Sequence, residues 1–124
     1  MTLRQFSVAL VALQATALPV QAQAGGDPVA GKEQYESRCT GCHSVDENRV
    51  GPAHRGVYGR RAGTAPGFTY SSALRASGVI WNDKSLDAWL TNPEKFIPGQ
   101  AMFFLVDDPR ARRDIVAYLA TLTP

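Results

Sequence analysis

Apolar residues near the end of the chain recur at helical spacing, behind a residue pair that typically opens a helix. Ile115, Leu119 and Leu122 lie at i, i+4 and i+7, which is the spacing of one helix face. They follow Asp108 and Pro109, an N-cap residue with proline at the first helical position. This pattern predicts an amphipathic helix whose single apolar stripe needs a partner face.

Two further helices are predicted from similar signals. An Asp-Pro pair at residues 27–28 predicts a helix that runs through about Arg38, because proline suits the first helical turn. A third helix is predicted to begin at Asn82 and to end before Pro93, since the residue before a proline avoids helical geometry. This helix carries an apolar side formed by Leu86, Trp89 and Leu90.

The segments between these helices show few regular hydrophobic patterns. Residues 71–76 predict a short fourth helix, and the glycine-rich residues 51–67 predict a wrapping loop. Residues 92–102 contain two prolines and a glycine, which rule out a continuous helix and predict an irregular loop. The predicted fold is therefore all-α, with long loops that are unusual unless they cover a ligand.

The first 24 residues have the composition of a targeting segment. Arg4 is their only charged residue, an apolar run covers residues 6–18, and Ala22-Gln23-Ala24 has cleavage-site spacing, as in a secretory signal peptide. The run is shorter than the roughly 20 residues that a membrane-spanning helix needs. We expect residues 1–24 to be cleaved and residues 25–124 to form one periplasmic domain without stable membrane insertion.

The charge balance excludes some classes of partner. The chain has 13 basic and 11 acidic residues, and residues 1–24 remove only one basic residue from that count. Because the basic and acidic residues are nearly equal in number, the charge does not favour nucleic acid or an anionic membrane surface as a partner. A domain of about 100 residues buries only a marginal core, and a bound group would help to complete it.

The only two cysteines stand in Cys39-Thr40-Gly41-Cys42-His43, written CTGCH. A disulfide between them would close too small a loop to stabilise much, and no βαβ pattern surrounds them as in a thioredoxin-like dithiol. A zinc site would need His54 as well, and adjacent Cys42 and His43 suit one tetrahedron poorly. Cys-X-X-Cys-His is the attachment motif of c-type haem, in which two thiols bond to the macrocycle and the histidine binds iron.

Met102 is the candidate for a second iron ligand. Met1 falls in the predicted signal peptide, so Met102 is the only methionine of residues 25–124. Methionine more often fills gaps in cores, and that interpretation stays open on the residue type alone. The irregular loop predicted over residues 92–102 favours the ligand, because such a loop can present one side chain.

From Gly31 to Leu122 the chain resembles the class I c-type cytochromes, especially mitochondrial cytochrome c and its soluble bacterial relatives. The matching segments follow the family's order and are CTGCH, GPAHRGVYGRRAG from Gly51, PGFTY from Pro66, GVIW from Gly78, LDAWLTNPEKFIPGQAMFF from Leu86 and DIVAYL from Asp114. The resemblance implies the compact cytochrome c fold, with three main helices, a short helix and long loops wrapped around one haem.

The resemblance also implies roles for individual residues. One haem c would be held covalently by Cys39 and Cys42, with His43 and Met102 as axial ligands of the iron. The Pro52 carbonyl would accept a hydrogen bond from the other ring nitrogen of His43 and so fix its tautomer. The remaining residues that it places in the haem pocket are Arg60, Tyr70, Trp81, Trp89 and Phe104, the first three beside a haem propionate.

The implied function is one-electron transfer and not catalysis. A chain of this family would be a soluble, monomeric periplasmic carrier that shuttles electrons between a donor and an acceptor protein, respiratory or otherwise. With both axial positions filled, the iron offers no place for a substrate. Two alternatives remain: a haem enzyme such as a peroxidase, with an open distal position, and a subunit of a larger oxidoreductase.

The chain departs from the family pattern around Met102. We expect a thinner polar network beside its sulfur, because the usual side chains are replaced by Leu74, Trp89, Gln100 and Ala101. His54 matches an apolar position of the family. It is interpreted as a packed or surface histidine and not as a ligand.

Overall fold

The computed structural model describes residues 25–124 and confirms the all-α prediction for that part of the chain. Its five helices are α1 (Pro28–Arg38), α2 (Ser72–Ala76), α3 (Asp83–Thr91), α4 (Pro93–Phe96) and α5 (Pro109–Thr121). One isolated antiparallel bridge joins Arg61 to Ile80. The predicted signal peptide, residues 1–24, lies outside the described residues. None of the helices in residues 25–124 has the length and apolar character needed to cross a bilayer.

Side-chain caps begin the three main helices where the sequence predicts them. Asp27 accepts a hydrogen bond of 2.8 Å from the Val29 amide at the start of α1, and Asp108 accepts one of 2.8 Å from Arg110 at the start of α5. Asn82 opens α3 through a reciprocal capping box with its third helical residue. These bonds satisfy amides that have no partner within their helix.

The segment before Met102 is more ordered than predicted. A short helix, α4, occupies Pro93–Phe96, where an irregular loop was expected. Asn92 accepts a 2.9 Å hydrogen bond from the Lys95 amide, and proline takes the first helical position, so the turn carries both start signals of a helix. The irregular loop begins only at Ile97. Likewise Leu122, predicted on the α5 stripe, is the C-cap of that helix.

Helices α1 and α5 pack at very close range. A Cβ built on Gly31 would lie 1.9 Å from the Asp114 carbonyl oxygen, so only glycine permits this approach. The Tyr35 and Tyr118 rings contact one another with their centroids 5.2 Å apart. The Asp27 amide donates a 2.8 Å hydrogen bond to the Asp114 carboxylate. This helix pair forms one wall of the core and holds the residues that follow α1 in place.

The long loop over residues 51–67 is tied to the segment before α3. Backbone hydrogen bonds join Gly59 N to Trp81 O at 2.7 Å and Trp81 N to Arg60 O at 2.9 Å. On the other side, the Arg112 side chain on α5 donates to Asp87 on α3 at 2.8 Å and to the Val106 carbonyl at 2.8 Å. These ties hold the loops around a central cavity.

Candidate functional site

A cavity of about 560 Å³ lies between CTGCH, the loop over residues 51–70, helix α3 and the loop that carries Met102. Its volume falls within the range of roughly 300–1,000 Å³ that is usual for small-molecule and cofactor sites. All the site residues predicted from the sequence line it: Cys39, Cys42, His43, Pro52, Arg60, Tyr70, Trp81, Trp89, Met102 and Phe104. The fold therefore brings together residues that lie far apart in the chain.

The end of helix α1 presents CTGCH to the cavity. The Cys39 amide donates to Tyr35 O at 2.8 Å, and the His43 amide donates to Cys39 O at 2.8 Å, so the chain turns tightly after the helix. Both cysteines are free thiols and form no disulfide. Burial raises the pKa of the Cys39 thiol to about 11, with a smaller lowering by Arg38 and a further raising by Cys42. At neutral pH Cys39 is therefore a thiol and not a thiolate.

His43 is buried with one ring nitrogen occupied. Its Nδ1 lies 2.8 Å from the Pro52 carbonyl oxygen, and since a carbonyl only accepts, Nδ1 carries the proton. Burial lowers the pKa of His43 more than this hydrogen bond raises it, so the ring is neutral. Its Nε2 then keeps a free lone pair, which is the arrangement of a histidine that binds a metal.

A second histidine packs on His43. The rings of His43 and His54 are stacked, with centroids 4.0 Å apart and an interplanar angle of 22°. His54 Nδ1 and the Tyr35 hydroxyl share a hydrogen bond of 2.9 Å. Of the two interpretations, a packed or a surface histidine, the stack on His43 agrees with the packed one, but the sequence did not reveal this contact. The available signal was position, because His54 lies two residues after Pro52 in the same turn.

The loop that carries Met102 is held by a buried amide side chain. Gln100, 4% exposed, accepts a hydrogen bond from the Met102 amide through Oε1 and donates one of 3.3 Å to Glu94 through Nε2. Glu94 also accepts from the Gly99 amide at 3.1 Å. Gln100 thus links the backbone of Met102 to the side chain of Glu94, a contact that the sequence did not reveal.

Aromatic and basic residues line the rest of the cavity. The Trp81 and Trp89 rings contact one another with centroids 5.5 Å apart and an interplanar angle of 58°. Tyr70 accepts a 3.0 Å hydrogen bond from the Ala65 amide. Arg60 donates to two carbonyl oxygens of its own loop, on Arg55 at 3.0 Å and on Ala53 at 3.2 Å. These bonds orient the Arg60 guanidinium at the cavity wall.

The donor set suits a haem c. It comprises two free thiols, a neutral imidazole with one free nitrogen and a thioether, set in a largely apolar wall. Within residues 25–124, no three His, Cys, Asp or Glu side chains converge on a common metal site, so these residues do not form the zinc cluster weighed from the sequence. A macrocycle that brings its own four nitrogen ligands requires only the two axial ligands from the chain.

Comparison with known proteins gives a consistent result. Residues 28–123 match the family model described as Cytochrome c. A cytochrome c from Euglena viridis is 45% identical over 100 residues, covering 78% of this chain and 98% of the relative. A cytochrome c2 from Rhodomicrobium vannielii is 43% identical over 104 residues, covering 81% and 82%.

Solved structures show the same likeness in three dimensions. Cytochrome cH from Methylobacterium extorquens superposes with a TM-score of 0.74 at 42% identity, over 77% of this chain and 99% of that one. Cytochrome c2 from Rhodospirillum centenum gives 0.74 at 35% identity, over 80% and 100%. Proteins of this family are electron carriers, not enzymes, and bind one covalent haem c, for which Cys39 and Cys42 have the required spacing. The predicted fold, cofactor and class of function are thereby confirmed, and the chain belongs to the cytochrome c family.

Proposed function

We propose that this protein is a soluble periplasmic one-electron carrier whose haem c is attached through Cys39 and Cys42 and ligated by His43 and Met102. The observation that carries the proposal is the shared cavity. It brings CTGCH, at the end of α1, together with Met102, some sixty positions further along the chain. A bound haem supplies an iron that gains and loses one electron.

The chain's own groups give that iron two protein ligands. His43 offers Nε2, because Pro52 holds the proton on Nδ1 at 2.8 Å. Met102 offers its thioether from a loop that Gln100 fixes through the backbone amide. Thioether ligation raises the reduction potential. With His43 and Met102 both bound, the iron would offer no position for a substrate, which favours a carrier over a peroxidase.

The cavity walls limit rearrangement between the two oxidation states. Trp81, Leu86, Trp89 and Leu90 are all buried, and they keep water from this side of the site. A dry, closely packed wall costs little reorganisation when charge changes. Arg60 and Tyr70 also line the cavity. We assign them to a haem propionate, since a buried carboxylate needs hydrogen-bond donors.

The partners would be a donor and an acceptor protein that dock beside the cavity. Its rim exposes apolar side chains, with Phe103 87% and Val50 77% accessible. Redox encounters use small interfaces that release quickly, so a monomer with such a rim suits a shuttle. The predicted signal peptide supports export to the periplasm, and a respiratory or other electron-transfer chain would supply the two partners.

Replacement of the thioether tests the ligation. In the Met102→Ala holoprotein we expect loss of the red absorption band of the methionine-iron bond, a lower reduction potential and binding of added ligands. Axial ligands tune haem potentials over about 0.8 V, so the shift should be large. Leu105→Ala is the matched control, since Leu105 lies on the same loop, half-exposed, outside the cavity lining.

Two results would count against the proposal. If Met102→Ala leaves band, potential and ligand binding unchanged, Met102 is a core residue. If the unmodified protein lacks the methionine-iron band and turns over peroxide, the alternative of a haem enzyme is favoured.

A further inference from the structure

Tyr35, which is buried, and His54, which is partly buried, form a polar pair against His43. Tyr35 is 2% exposed and belongs to α1, whereas His54 belongs to the long loop. Their 2.9 Å hydrogen bond joins the two elements at the point where the His54 ring stacks on His43 at 4.0 Å. The pair thus reaches from the helix core to a face of the proposed iron ligand.

An apolar side chain would fill this position more simply. Burying an imidazole costs a few kcal/mol unless it is hydrogen-bonded, and Tyr35 supplies that bond. Burial foremost, then His43 and Arg60, lower the pKa of His54 to about 3, and burial raises the pKa of Tyr35. Both partners therefore stay neutral, and the pair acts through shape and hydrogen bonding.

The other contacts of His43 leave one freedom of its ring undetermined. The Pro52 carbonyl binds at Nδ1 and the iron would bind at Nε2, and both bonds lie in the ring plane. The bond from Cγ to Cβ also holds the ring, but the second side-chain torsion of histidine is broad, so the ring plane can still rock. Contacts with the ring face restrict that rocking.

Two face contacts are present. A Cβ built on Gly51 would lie 2.2 Å from Cε1, 2.6 Å from Nδ1 and 2.7 Å from Nε2 of His43. Such similar distances place the glycine over the ring and not beside its edge. The stacked ring of His54 is the second contact. Unlike the glycine backbone, its placement depends on a side-chain hydrogen bond.

We propose that the Tyr35–His54 pair positions His43. The pair sets the orientation of the His43 ring plane and thereby tunes the reduction potential of the haem that His43 binds. This inference rests on the proposed role of His43 as an iron ligand. Tyr35 acts through His54, and His54 acts through His43. Neither residue touches the iron.

Ordinary core packing is the competing explanation. Tyr35 also contacts Tyr118, so a large truncation would disturb the α1–α5 interface whatever the hydroxyl does. Tyr35→Phe avoids this, because it keeps the ring and removes only the hydrogen bond. Tyr118→Phe is the matched control, since it removes a hydroxyl from the neighbouring ring, for which no contact with His54 is seen among residues 25–124.

The experiment compares ferric holoproteins of the unmodified chain, Tyr35→Phe, His54→Leu, the double variant and Tyr118→Phe. Paramagnetic resonance g-values and the hyperfine-shifted haem methyl signals report the orientation of the histidine plane, and a redox titration gives the potential. We expect His54→Leu to shift the spectra and raise the potential, because an apolar side chain solvates the oxidised, more positive site less well. Tyr35→Phe should shift the spectra in the same direction by less.

The double variant should match His54→Leu, because the hydroxyl acts only through His54 and the effects are then not additive. Unshifted spectra in both single variants, or shifts in Tyr118→Phe equal to those in Tyr35→Phe, would overturn the proposal. If His54→Leu does not fold, the comparison of Tyr35→Phe with Tyr118→Phe still decides. Failure of the proposed function would show separately, as absence of a histidine-methionine spectrum in the unmodified protein.

Discussion

Gln100 gives the sharpest prediction about how the fold holds Met102. In Gln100→Leu the side-chain volume is nearly kept, but the Met102 amide loses its acceptor and the 3.3 Å bond to Glu94 is lost. An amide that loses its acceptor where water does not replace it costs about 1–3 kcal/mol, and the Met102 amide is partly buried beside Gln100. The cost falls only on the closed loop, because an open loop exposes the same amide to water.

The expected effect follows from that difference. At about 2 kcal/mol, and with tenfold for each 1.4 kcal/mol, the population of the open loop rises roughly thirtyfold. An added ligand such as imidazole binds iron only when Met102 has left, so its apparent dissociation constant falls by the same factor. Optical titration of the ferric holoprotein with imidazole measures this directly.

Gln34→Leu is the control for this substitution. Gln34 also accepts a side-chain hydrogen bond, from Arg38 at 2.7 Å, but it lies on α1, away from the loop that carries Met102. Its imidazole affinity should equal that of the unmodified protein. An affinity in Gln100→Leu within about threefold of the unmodified value would refute the assignment of Gln100 as the brace of this loop.

Three further predictions concern attachment, docking and alkaline behaviour. Acid-acetone extraction should leave the haem on the polypeptide, and free haem in the organic phase would exclude the two thioether bonds. Electron-transfer rates should change by less than about threefold between low and physiological salt, because lysines are few and Arg55 is paired with Asp46. Protein pairs with strong electrostatic steering change their association rates by a factor of about 10–10³. A steep fall with salt would instead indicate a basic docking patch that includes Arg38 and Arg49. In alkaline solution we expect Lys95 to replace Met102 on the iron, because it is the one lysine of the distal segment over residues 92–102. Lys95→Ala should then raise the pH at which the methionine-iron band disappears, or leave hydroxide as the entering ligand. Identical titrations and identical alkaline spectra for both proteins would exclude this role.

The helices were predictable because their signals are local. An aspartate followed by proline caps α1 and α5, and each signal needs only a few neighbouring residues. The same rule explains the miss at α4. The two prolines of that segment predict an interrupted helix, but Asn92 and Pro93 together also form a helix start signal.

The residues proposed to bind the haem could be predicted because most of them belong to one short motif. The spacing of CTGCH indicates a c-type haem. Met102 is the only methionine of residues 25–124 and stands in a segment with two prolines and a glycine, and the resemblance to the family supports it as a ligand. The contacts of His54 and Gln100 depend on segments that meet only after folding. Sequence could show that these residues depart from the family, but not that one stacks on His43 and the other binds the Met102 amide.

A potentiometric titration of the purified holoprotein tests the central claim most directly. The account predicts one reversible wave with the slope of a single electron, one electron per chain, and a methionine-iron band that is present throughout the ferric range at neutral pH. A two-electron slope, or an irreversible wave accompanied by turnover of peroxide, would contradict it.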